Sequence, residues 1–407
     1  MEVLYRRCAG LDVHAKSVTA CVRIAADATI TYDQFTASTT TRGLLALDAW
    51  LTAHGCTHVA MEATGVYWKP VWHVLEEHFT LVLANAMHIR NVPGRKSDTN
   101  DARWIADLLA HGLIRGSFIP PASIQALRDL TRTRRQLGRE VARHIQRVQK
   151  TLEDTNIKLT RVLTDIMGMS GRAILAAIIA GETDPDQLAD LTRGRLKASR
   201  ADLREALHGR VTEHHRFVIQ LHLLQIDGLE RAIAAIDVRI GDALGPVRAA
   251  VALLSTMPGL SETTARSMVA EIGTDMTRFP SSAHLVSWAG LCPRQDQSAG
   301  ITRSTRTRRS APWLKPMLVN AAWSATRKKD SYLRAQFLRL KSRRGPKKAI
   351  LAVASSMLTA AYVMLRDGVE YHDLGPYHFE QQDKDRVTKR LLQRLRNLGV
   401  TVQVTAA

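Results

Sequence analysis

Cysteine is scarce: Cys8, Cys21, Cys56 and Cys292 are the only four in 407 residues, with no CxxC pair and no regular framework. That excludes a disulfide-stapled scaffold or a cysteine zinc ribbon and leaves free buried thiols in a reducing compartment. The histidines lack zinc-ligand spacing, and the His214–His215 pair reads as helix surface. No leader pattern is visible, because Arg6 and Arg7 run straight into a strand-like stretch. The uncharged run Ala349 to Leu365 is short for a membrane span and contains Ser355, Ser356 and Thr359, which fits a buried helix. Repeats and low-complexity segments are absent. Acids are under-represented too: 38 Asp and Glu face 57 Lys and Arg, for a net charge of +19. A surplus of that size implies a polyanionic partner, most simply nucleic acid.

A hydrophobic fraction of 45% is ample for a core, and the length suits two or three domains. In the first 120 residues strand and helix signals alternate. Cys8–Ala25 reads as two short strands around a turn at His14–Lys16, Thr57–Ala63 and Phe79–Ala86 as buried strands, and the stretch VYWKPVWHVLEEH between them as a helix. The pattern predicts an α/β layer over residues 1–122. Leu127, Leu130, Leu137, Val141, Ile145, Val148 and Leu152 then mark one face of a long helix, and Ile226, Leu229, Ile233, Ile236 and Ile240 a second. Together they predict a coiled-coil arm or dimerisation element over 123–245, with Ser199 and Asp202 forming a capping box between them. Residues 246–370 read as a helical unit. Its stretch from Arg294 to Lys348 holds sixteen Lys or Arg against Asp296 and Asp330, a density suited to phosphate contacts. Residues 371–407 read as a loop, a helix at Val387–Leu398 and a short strand at Val400–Val404. The fold class is therefore α/β plus α.

Four acids form the candidate site. Asp12 lies in the apolar strand GLDVH, where an unpaired charge is costly. Glu62 ends the strand VAME, and Asp98 and Asp101 open the helix KSDTNDARWIADLL, their spacing placing both on one face. Gathered together they would suit a hard divalent cation, above all Mg²⁺. A helix-capping role is the rival for Asp98. Asp107, a turn and a half further along, reads as solvent-facing.

The stretch Ser255–Gly273, with its Pro-Gly turn, resembles a helix-hairpin-helix whose turn amides could hold a phosphate; a simple packing corner is the alternative. Downstream, Ser298 lies in a polar, glycine-containing loop before Arg303, Arg306, Arg308 and Arg309. Those cations could neutralise charge developing on phosphorus during attack by a hydroxyl. Ser304 and Ser310 are competitors, and spacing alone does not choose among the three. Trp68, Trp104, Trp288, Trp313 and Trp323 could stack on bases, but buried tryptophans are commoner than stacking platforms and none is assigned to one.

The ordered motifs GLDVH, MEATGVYW, GRKSDTNDARWIADLL, MPGLSETTA, SWAGLCPRQDQSAG and PWLKPMLVNAAW closely resemble the insertion-sequence 110 transposases, the RNA-guided bridge recombinases related to the pilin-gene invertase. The resemblance spans almost the whole chain. It implies an N-terminal RNase H or RuvC-like domain with a DEDD site at Asp12, Glu62, Asp98 and Asp101, and a catalytic serine at Ser298. It also implies Mg²⁺-dependent cleavage of double-stranded donor and target DNA through a phosphoserine link, followed by strand exchange and religation. A guide (bridge) RNA and a homo-oligomer, dimer or tetramer, are implied as partners, in the bacterial cytoplasm at the nucleoid and with no membrane. Two rival functions use the same residues differently: a junction-resolvase type of nuclease with water as nucleophile, and a non-enzymatic architectural DNA-binding protein.

Overall fold

The computed structural model describes residues 3–26, 29–63, 65–84, 89, 101–114, 116–194, 196–293, 296–298, 301–304, 306–307, 312–381 and 384–400, and the backbone alone at 296–298, 302–303 and 385–387. The chain divides into two compact units, Met1–Ile119 and Pro120–Ala407.

The first unit is built on a five-stranded sheet. Its strands are β1 (Arg7–Val13), β2 (Ser17–Ala26), β3 (Thr29–Ser38), β4 (His58–Glu62) and β5 (Thr80–Ala84), in the order β3-β2-β1-β4-β5. β1, β2 and β3 form an antiparallel meander, whereas β1, β4 and β5 run parallel. Central β1 is covered on both faces. Ala9, Leu11 and Val13 join Val59 and Met61 against helices α1 (Thr41–Ala53) and α2 (Trp68–Leu75). Cys8 and Ala60 belong to the opposite core, with Ile105, Leu108 and Leu109 of α3 (Asp101–Ala110). Alternation along β1 therefore sends Cys8, Gly10 and Asp12 towards α3. The approach is close: a Cβ on Gly10 would stand 2.2 Å from the Ala102 carbonyl oxygen and 2.4 Å from the Ala106 nitrogen.

The sequence carries no expectation for β3 or α1. β3 is an edge strand whose residues are mostly exposed, so it lacks the apolar alternation of a half-buried strand. α1 does carry a signal, since Leu44, Leu47 and Leu51 fall on one buried face and Thr40 caps the Gly43 N–H.

In the second unit, α4 (Ala122–Asp154) is followed by α5 (Leu159–Val162), α6 (Met169–Ala180), α7 (Pro185–Asp190), α8 (Arg200–Leu207) and the long α9 (Glu213–Ala243). α4 and α9 pack along one another in opposite directions, Arg134 meeting Asp237 and His144 meeting His222. Val148 and Leu152 of α4 share a core with Ile219 and Ile226 of α9 and with Ile174, Leu175 and Ile178 of α6. Ser199 and Asp202 form the expected capping box. In the first turn of α9, His215 accepts the Thr212 N–H.

The remaining helices are α10 (Arg248–Ser255), α11 (Glu262–Ile272), α12 (Ser282–Trp288), α13 (Leu314–Ala325), α14 (Tyr332–Arg344), α15 (Pro346–Asp367), α16 (His378–Gln381) and α17 (Lys384–Asn397). A short ribbon, β6 (Asp296–Ser298) and β7 (Ile301–Ser304), lies between α12 and α13. α15, which contains the uncharged run, is long and apolar enough to cross a membrane by length and composition. It packs against α10, α12, α13 and α14, burying Ile350, Val353, Met357 and Leu358. α17 occupies the place of the expected tail helix; Thr401 onward, where most of the expected strand falls, lies outside the described residues.

Candidate active site

Asp12 is the next residue of β1 after Leu11, and Glu62 the next of β4 after Met61, which is level with Leu11 in the parallel ladder. The two residues thus stand near the C-terminal ends of neighbouring strands, their backbones one strand spacing, about 4.8 Å, apart. Both face the side covered by α3. Cys8 donates to the Ala106 carbonyl, and Gly10 lies against Ala102 to Ala106, so moving up β1 towards Asp12 means moving towards the N-terminus of α3. Asp101 opens that helix. Asp98 lies outside the described residues. Among the described residues no three acids, histidines or cysteines come close enough together to hold a metal ion. Asp12 Oδ2 is 3.1 Å from His14 Nε2 of the adjoining turn, a partner that sequence reasoning passed over as turn chemistry.

Asp107 is partly exposed, at 28%, but is not free in solvent. Its Oδ1 accepts from Arg23 Nε at 3.0 Å and from the Tyr32 hydroxyl at 2.6 Å, and Arg23 is 1% exposed. Arg23 sits opposite Cys8 in the sheet, and Asp107 is its acidic partner. Burial, then the bond to Asp107, raises the Tyr32 phenol above its ordinary value. Asp107→Asn leaves the guanidinium buried without a counter-charge. It should destabilise the first unit by about 3–5 kcal/mol, read as a lowered chemical-denaturation midpoint; an unchanged midpoint would reject this account.

All four cysteines are free. Burial pushes the Cys8 and Cys56 thiols up to about 12 and Cys21 up to about 11, so these three are poor nucleophiles and behave as core residues.

Ser298 ends β6 and pairs with Ile301, while Asp296 pairs with Ser304 and Pro293 bridges to Thr307 at the root of the ribbon. The sequence reads this stretch as a loop. Antiparallel pairing with β7, which carries the β-branched Ile301 and Thr302, instead puts Ser298 at the end of a strand. Lys315 Nζ lies 2.5 Å from Thr307 Oγ1 and steadies the root, with burial lowering the amine below its usual range. Of the competing serines, Ser304 accepts the Arg306 N–H at 3.2 Å, and Ser310 lies outside the described residues.

The Pro-Gly turn joins α10 to α11, with Ser261 accepting the Thr264 N–H. Gly259 has φ of 84°, and a Cβ there would stand 2.4 Å from the Ala321 carbonyl oxygen of α13. The glycine is thus fixed by close packing against α13.

The positive charge is unevenly engaged. Along α4, Arg132 and Arg134 bind Glu271 and Asp237. At the corner between α14 and α15, Arg343, Arg344, Lys347 and Lys348 are exposed around Gly345, and none has an acidic partner among the described residues.

Residues 9–157 match the IS110 DEDD transposase family, and residues 251–338 match the transposase IS116/IS110/IS902 family. The chain belongs to the IS110 family of transposases. Among curated relatives, the uncharacterized 43.6 kDa protein of insertion element IS110 from Streptomyces coelicolor is 31% identical over 126 residues. That alignment covers 30% of this chain and 31% of the relative. The first match contains the sheet from the third residue of β1 onward, with Asp12 and Glu62; the second contains the α10–α11 turn, Ser298 and α13.

Proposed function

We propose that this protein is the DNA transposase of an insertion sequence, cutting and rejoining double-stranded donor and target DNA through a covalent link to Ser298. The observation that carries the reading is the placement of Asp12 and Glu62 at adjacent ends of parallel strands, on the face whose covering helix opens with Asp101. The order of the mixed sheet supports a RuvC-like, RNase H type of domain. On this reading Asp98 completes the set, α4 and α9 form a coiled-coil arm that serves a homo-oligomer, and the α10–α11 turn is a helix-hairpin-helix. The helical chain beyond residue 122 divides near residues 246 and 371.

The donor set fits Mg²⁺, since it consists of carboxylate oxygens suited to a hard cation. Asp12, Glu62, Asp98 and Asp101 would hold the metal, which when bound supplies Lewis-acid stabilisation of charge on the phosphate oxygens. The Ser298 oxygen forms a bond to phosphorus as the bond from phosphorus to a sugar oxygen breaks; the serine proton departs and the sugar oxygen takes one up. Attack by a sugar hydroxyl from the other DNA reverses the step, so the phosphodiester energy is kept and no nucleotide is consumed. A guide RNA that pairs with donor and target would read sequence and leave the basic protein to hold backbones.

The test is a denaturing gel of the protein with Mg²⁺, its flanking-segment RNA and labelled junction DNA. A slow protein–DNA band should appear, and Ser298→Ala should lose both that band and the joined product. Continued cleavage by Ser298→Ala, with water as nucleophile, would establish the nuclease reading in its place.

A further inference from the structure

Four arginines on α4, Arg128, Arg132, Arg135 and Arg139, recur at intervals of four, three and four and so share one face. Arg128 donates from Nε to the Ala270 carbonyl at 2.9 Å and from Nη2 to the Glu271 carbonyl at 2.8 Å, capping the C-terminus of α11. Arg132 binds the Glu271 carboxylate through two bonds of 2.7 and 2.8 Å, and Glu271 is 5% exposed. Arg135 donates to the Trp313 carbonyl at 2.5 Å, and the guanidiniums of Arg132 and Arg139 lie 5.5 and 5.4 Å from the centre of the Trp313 ring.

Glu271 lies at the end of α11 and Trp313 just before α13, so in sequence they bracket the stretch that holds α12, which packs against α15, and the β6–β7 ribbon. The stripe therefore grips both ends of the segment that carries Ser298. Bidentate pairing at one root and an arginine-to-carbonyl bond at the other fix direction as well as distance. The chemical character of the stripe also differs from that of a nucleic-acid contact, since its donors are turned inward onto protein acceptors.

We infer that this arginine stripe is a clamp that positions the serine-bearing segment on the long helix, so that displacement of α4 is transmitted to the ribbon. This rests on the reading of Ser298 as nucleophile. The stripe acts through the segment it holds; its members are positioning residues. Because the clamp holds the segment at its roots, its loss should slow the covalent step and leave DNA affinity alone.

The experiment compares wild-type protein with Arg132→Gln, Arg135→Gln, Glu271→Gln and the Arg132→Gln/Glu271→Gln double variant. Readouts are duplex affinity by gel shift, the single-turnover rate of adduct formation on labelled junction DNA, and amide hydrogen exchange over residues 274–312. The expected result is a rate at least tenfold lower with affinity within twofold, faster exchange confined to that segment, and a double variant no slower than the worse single one. Arg135→Gln removes only a bond to a backbone carbonyl, so it decides the matter if the buried-pair variants fail to fold. Unchanged exchange and a rate within twofold in Arg135→Gln and a folded Arg132→Gln would overturn the clamp. Absence of an adduct in the wild type would instead refute the serine reading, with hydrogen exchange still deciding the clamp.

Discussion

Gly10→Ala should lower the melting temperature of the first unit by roughly 10 °C, corresponding to about 2–3 kcal/mol of overpacking in a domain of this size. The added methyl would meet the Ala102 carbonyl oxygen at 2.2 Å, the Ala106 nitrogen at 2.4 Å and the Ile105 carbonyl carbon at 2.9 Å. These are backbone atoms of a helix, so none can yield without moving α3 as a body by about 1 Å, in an interior that is close-packed. Since α3 also opens with Asp101, the same displacement would draw that carboxylate away from Asp12 and Glu62. Strand cleavage should therefore be lost even below the melting transition, where the protein is folded. Differential scanning calorimetry together with a cleavage assay at low temperature checks both halves. A melting temperature within 2 °C of wild type would show that β1 and α3 are not as tightly apposed as described.

Asp12→Asn should reduce single-turnover strand cleavage by about a thousandfold, the equivalent of roughly 4 kcal/mol of transition-state stabilisation. Asparagine preserves the volume of the side chain and can still bond His14 Nε2, which lies 3.1 Å from the native carboxylate. What it removes is a negative charge, and with it the best oxygen donor on the central strand. Duplex affinity should hold or improve slightly, because one repulsion between a carboxylate and the phosphates is gone. That separation of binding from cleavage distinguishes a metal-holding acid from a residue needed for folding. Cleavage within threefold of wild type would remove Asp12 from the chemistry and, with it, the cluster built around the sheet.

What could be read from the sequence was what is encoded locally. The β1–β2 hairpin around His14–Lys16, the buried strand ending at Glu62, the two long helices and the Ser199–Asp202 box each depend on residues a few positions apart. Asp12 and Glu62 could be nominated for their cost in apolar strands. Their adjacency, however, follows from a parallel register between segments some fifty residues apart, which no local pattern specifies. Asp107 was misread for the same reason. Its partner Arg23 is 84 positions away, and an acid on a helix face looks solvated until the cation beneath it is known. Ser298 shows a third kind of miss: Gly300 and the polar neighbours suggest a loop, and only pairing with Ile301 makes it a strand end. The partners of the α4 arginines are equally remote in sequence: several are held by Glu271, Asp237 and the Trp313 carbonyl.

The exposed basic corner at Gly345, without an acidic partner among the described residues, bears on how the protein meets a polyanion. Between Arg294 and Lys348 sixteen basic and two acidic residues leave a surplus of 16 − 2 = 14, out of +19 for the whole chain. Ion pairing engages charge along the long helices, whereas this stretch, which includes the exposed corner, carries most of the surplus. Long-range attraction acts before any contact forms, over about 8–10 Å at physiological ionic strength. An approaching duplex is therefore turned towards the C-terminal stretch during diffusion, and added salt slows that encounter before it loosens the finished complex.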